Sequence, residues 1–135
     1  MFKKIALVLI ILIMTIGIVS ALDLTNMKVP DGFEKHSSNS FEKGDYELNF
    51  GPYADSENEL TFENDEDYTI SKYSSNVYRY YDKLLENVGA IEVVEIDGHK
   101  YLVECLKRDA PSSDSSVCDY LTEFNRLNNL TPIEP

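Results

Sequence analysis

The sequence predicts a small two-layer α+β domain, an antiparallel sheet with two helices, preceded by an N-terminal signal or anchor helix. Three observations point there. A long uncharged run follows two lysines at the start of the chain, two β-rich stretches flank an Asp-Gly pair at 97–98, and segments 76–88 and 117–128 space their apolar residues at helical intervals. Short turns favour antiparallel pairing, and helices with one apolar stripe need a sheet face to cover.

The opening, MFKKIALVLIILIMTIGIVSALD, sets Lys3 and Lys4 before the uncharged residues 5–19, and Val19-Ser20-Ala21 offers small residues at a signal-peptidase site. Cleavage is expected after Ala21. Left uncleaved, residues 5–22 form an uncharged run at the lower limit for a membrane-crossing helix. In both readings the lysines stay inside under the positive-inside bias. The rest of the chain is then extracytoplasmic, secreted or anchored to the outer face of the cell membrane. The expected division is 1–21 signal peptide or membrane anchor, 22–32 tether and turn, and 33–135 a single α+β domain.

Without residues 1–21 the chain keeps ten Lys and Arg against twenty-four Asp and Glu, a net charge of −14. Such a surface repels nucleic-acid phosphates and anionic lipid heads, which excludes nucleic acid as a partner. It leaves basic protein surfaces, other cationic partners and divalent metals open.

Cys105 and Cys118 are the only cysteines, with twelve residues between them. Outside the cytoplasm paired thiols tend to oxidise, and the absence of C-x-x-C or zinc-ligand spacing counts against redox catalysis or a structural zinc. A Cys105–Cys118 disulfide is the expectation. It would sew the last helix to the preceding hairpin.

Along the chain, VPDGF at 29–33 has turn chemistry, with Pro, Asp and Gly each suited to a reversal. Residues 45–50 alternate through Tyr46, Leu48 and Phe50 as a half-buried strand. Segments 59–63 and 68–73 read as a hairpin. In 76–88, Val77, Tyr81, Leu84, Leu85 and Val88 make a helical stripe with Gly89 just past its end, which leaves Tyr78 and Tyr80 off the stripe as a candidate partner patch. The run IEVVEIDGHKYLVECLK is two strands on an Asp97-Gly98 type I′ turn. That turn pairs Ile96 with His99, Glu95 with Lys100, Val94 with Tyr101 and Glu92 with Val103. It also turns Cys105 to the same face as Tyr101 and Val103. Ser116 then caps a helix over 117–128, with Val117, Leu121 and Phe124 on its apolar side.

Residues 55–67, DSENELTFENDED, hold seven carboxylates. Oxygen ligands at that density suit Ca²⁺, with Asp55, Glu57, Asp65, Glu66 and Asp67 as the candidate ligands, although EF-hand spacing is absent. A solvated acidic loop is the simpler reading. His99 lacks a nucleophile motif nearby, and no H-E-x-x-H, P-loop or dinucleotide fingerprint occurs, so no catalytic residues and no other cofactor are assigned.

The KK-led apolar start, the VPDGF opening and the EVVEIDGHKYLVEC hairpin resemble small acidic exported proteins of unknown function from methanogenic archaea. That resemblance implies an extracytoplasmic, membrane-tethered or released domain and carries no catalytic residues with it. The functional expectation is a non-enzymatic binding or interaction module with a protein or cell-envelope partner, in contact with the membrane through the N-terminal helix if that is uncleaved. The alternative is a calcium-dependent surface module using 55–67.

Overall fold

The computed structural model describes residues 27–37, 39–53 and 66–133. The expected signal or anchor helix and the strand at 59–63 lie outside them. No helix among the described residues is long and apolar enough to cross a membrane.

The described chain is dominated by one antiparallel sheet. Its strands are β1 (Glu34–Ser37), β2 (Ser40–Lys43), β3 (Tyr46–Pro52), β4 (Tyr68–Lys72), β5 (Tyr78–Asp82), β6 (Asn87–Ile96), β7 (His99–Lys107) and β8 (Thr131–Ile133), with a single helix, α1 (Ser116–Leu127), before β8. The order across the sheet is β1-β2-β3-β7-β6-β5-β4. β8 pairs with the second half of β6, beyond the stretch that pairs with β5. The expectation of two helices is therefore corrected to a sheet with one helix.

The β6–β7 hairpin has the register that its turn dictates, from Ile96↔His99 through Glu92↔Val103 to Val88↔Lys107. Asp97 and Gly98 both take positive φ, 52° and 80°, as a type I′ turn requires. Alternation then sorts the side chains. Leu48, Phe50, Val88, Ala90, Val94, Tyr101, Val103 and Cys105 share one face and are buried. α1 covers that face with Val117, Cys118, Leu121 and Phe124. Phe50 stacks on Tyr101 at 5.4 Å and meets Phe124 at 6.1 Å.

The helix starts where the stripe predicts, but its cap differs. Ser115 makes no side-chain cap bond. Asp114 Oδ1 instead accepts from the Ser116 amide and hydroxyl at 2.9 and 2.6 Å, and Asp114 Oδ2 accepts from Lys107 Nζ at 2.9 Å. These bonds hold Asp114 down to about 2, below the usual carboxylate range. At the other end Asn128 clamps Lys28 from both sides, accepting from its N–H at 2.8 Å and donating to its carbonyl at 2.7 Å. Part of the expected tether is thus docked on the helix.

The expected helix at 76–88 is a strand, a turn and the start of another strand. Val77 and Val88 are buried, but Leu84 and Leu85 are 62% and 65% exposed, so the helical spacing joins residues with no common face. The run YRYYD is rich in tyrosines, which fit a pleated, half-buried surface. Asp82 Oδ1 then accepts from the amides of Leu84 and Leu85 at 2.9 and 3.1 Å, and Glu86 takes a φ of 55° to reverse the chain. Gly89, expected as a helix terminator, lies inside β6 opposite Tyr80. A Cβ built on it would collide with the Tyr80 ring, which lies over the bare backbone there. Replacing Gly89 with Ala should therefore force that ring aside and cost about 2–3 kcal/mol. Urea unfolding measures this directly: the midpoint should drop at constant slope, and an unchanged midpoint would mean that the ring lies elsewhere.

Candidate functional site

The face of the sheet away from α1 is also buried, and its centre is polar. Glu104 on β7 is 1% exposed. Tyr80 on β5 reaches across Gly89 and donates its hydroxyl to Glu104 Oε2 at 2.7 Å, while Asn49 on β3 donates Nδ2 to Oε1 at 3.1 Å. Tyr68 packs edge-on against Tyr80 at 5.9 Å. Burial pushes Glu104 up to about 7, against the pull of its two hydrogen bonds, and the charge of Glu47 adds to the rise. Tyr80, itself buried and facing that carboxylate, is held protonated well above its ordinary range. When Glu104 takes up a proton, the O–H···O bond can reverse, with the carboxyl donating to the Tyr80 oxygen.

A second carboxylate sits on the helix side. Glu92 is buried, accepts from Asn125 Nδ2 of α1, and is raised to about 7 by desolvation alone. The other amide atom, Asn125 Oδ1, is buried without a hydrogen-bond partner among the described residues. Protonation would give Glu92 a donor to match the amide's unused acceptor, which the anion lacks.

The third feature is open to solvent. Thr69, Ser71, Arg79, Tyr81, Lys83 and Ser112 line a groove of about 370 Å³ between the β4–β5 hairpin and the loop from β7 to α1. Arg79 Nη1 donates to the carbonyls of Ser112 and Asp114 at 2.5 and 3.1 Å, which fixes both the loop and the guanidinium. Other cations nearby are neutralised by carboxylates: Lys107 by Asp114 at 2.9 Å and Arg108 by Glu47 at 3.1 Å. Among the described residues Arg79 and Lys83 form no such ion pair.

The residues singled out from sequence fare differently. Tyr80 is buried in the polar seam and Tyr78 is half-buried, so the two do not form an exposed partner patch. Cys105 and Cys118 are both buried and both unbonded, which corrects the expected disulfide. Burial raises Cys105 well above the usual thiol range and Cys118 to about 11, the latter against the pull of Arg79. In the folded chain both sulfurs instead act as small apolar core atoms, packed between α1 and the sheet. Of the calcium candidates, Asp55, Glu57 and Asp65 lie outside the described residues, Glu66 is exposed and Asp67 half-buried. No group of three metal-binding side chains occurs among the described residues. His99 is exposed at the hairpin end, and His36 lies 3.3 Å from Glu42 on the surface of β1–β2.

Sequence reading missed the groove and the seam for the same reason. Arg79 and Tyr80 are adjacent in a strand and so belong to opposite faces, whereas a helix at 76–88 scatters them. The signal that could have found them is the tyrosine run itself, which favours a strand.

The two raised carboxyls set a pH dependence. Unfolded, each titrates near 4.3. Folded, each holds its proton up to about 7, so the native state binds more protons between those values. Stability is greatest at the acid end of that window, falls as pH rises through it, and levels off above about 7, by up to about 3 kcal/mol per group. Glu104→Gln should shrink the difference in unfolding free energy between about pH 5 and pH 8 by roughly that amount. An unchanged difference would show that Glu104 does not change ionisation there. Comparison with protein families, curated proteins and solved structures finds no match, so any functional reading rests on this geometry.

Proposed function

We propose that this chain is a non-enzymatic binding module acting outside the cytoplasm, secreted or tethered to the outer face of the cell membrane, with its ligand held in the groove beside β5. The observation that carries the reading is Arg79. Two backbone carbonyls hold its guanidinium in place without neutralising it, in a chain with twice as many acidic as basic side chains. A fixed cation with no carboxylate partner among the described residues, in an open, hydroxyl-lined groove, is poised for a ligand rather than for the fold. The lysine-led apolar start and its small-residue site support the location, and a cell-envelope component is the partner that such a location offers.

Ser71 lies exposed on β4 at the groove wall, where a bulky side chain fills the groove without entering the core. In detergent, where the N-terminal run no longer anchors it, the full chain should be retained on immobilised native-envelope components, and Ser71→Trp should lose most of that retention while melting at the same temperature. Equal retention of both proteins would remove the groove as the binding site.

A further inference from the structure

We infer that the groove takes a saccharide bearing a single acidic group, a sugar acid or a sugar monophosphate, with the oxyanion on Arg79 and Lys83 and the sugar hydroxyls on Thr69, Ser71 and Ser112. This rests on the groove being the binding site. Arg79 spends Nη1 on the loop carbonyls. A guanidinium has five N–H donors in a fixed fork, so the remaining edge can meet an oxyanion in bidentate fashion. Arg79 and Tyr81 share a face of β5, and Lys83 follows just past its end, so both cations border one opening. Around them stand three hydroxyl side chains, which donate and accept as sugar hydroxyls do, and the half-buried ring of Tyr81, apolar in body and polar at its tip.

Charge decides between a polyanion and a singly charged ligand. The chain carries a net −12, which repels a dense polyanion along its whole length. A ligand with one acidic group feels mainly the two local cations, because carboxylates beyond a Debye length of about 8 Å are screened. Size agrees: about 370 Å³ lies at the lower end of small-molecule sites and suits a ligand of one or two sugar rings.

The test is titration of the isotope-labelled full chain with glucuronate, glucose phosphate, glucose and inorganic phosphate, read by amide shifts. Glucuronate or glucose phosphate should move residues 69–71, 79–83 and 112 in a saturable way, and glucose should bind at least about tenfold more weakly. Lys83→Gln, at an exposed position, should weaken the acidic sugar about tenfold while leaving the fold intact. Arg79→Gln should weaken it further, but also frees the loop, so the lysine variant is the deciding one. Glucose binding as tightly as the acidic sugars, or inorganic phosphate as tightly as glucose phosphate, would overturn the inference. So would a Lys83→Gln chain with undiminished affinity. If none of these probes moves the groove while Ser71→Trp still abolishes envelope retention, the binding role stands and the ligand class is wrong.

Discussion

Glu104 must find hydrogen-bond donors inside the protein, and three other strands are arranged to provide or permit them. Asn49 on β3 supplies one donor and Tyr80 on β5 the other. Tyr80 reaches only because β6, which lies between, carries Gly89 where any side chain would block the ring. One carboxylate thus ties β3, β7, β6 and β5 into a single register. Removing a partner from such a network leaves a buried polar group unsatisfied, which costs more than a satisfied bond contributes. A slip of one residue in any one of these strands would turn its member of the trio, Asn49, Tyr80 or Glu104, to the opposite face and break the network. The seam therefore specifies pairing more than it adds stability, and its raised ionisation range shows the burial cost that it still carries.

The helix side works by different physics. α1 covers β3, β6 and β7 with Val117, Leu121 and Phe124, an apolar layer interrupted by the Glu92–Asn125 pair. The β7–α1 loop is drawn to β5 by Arg79 and to β7 by the Lys107–Asp114 pair. The groove lies between that loop and the hairpin, so the interactions that start the helix also form one of its walls.

Local chemistry was legible in the sequence wherever one turn or one face decides the outcome. Asp97-Gly98 sets the whole β6–β7 register, and Val117, Leu121 and Phe124 mark α1. Segment 76–88 was not legible, because Leu84 and Leu85 complete a helical stripe by accident of spacing while sitting on an exposed turn. What separates the readings is Asp82, whose side chain organises that turn, and Tyr80, whose partner lies on β7. Such contacts depend on strand order, which local pattern does not contain. The cysteines show a related limit: their spacing was compatible with a bond, but packing under α1 keeps them as protonated thiols.

The most direct measurement of the seam is a double-mutant cycle on Tyr80→Phe and Glu104→Gln, by urea unfolding near pH 8, where Glu104 is ionised. The phenol–carboxylate bond predicts a coupling of about 1.5–3 kcal/mol between them. Losses that simply add, within about 0.5 kcal/mol, would contradict a bond between β5 and β7 and the strand register built on it.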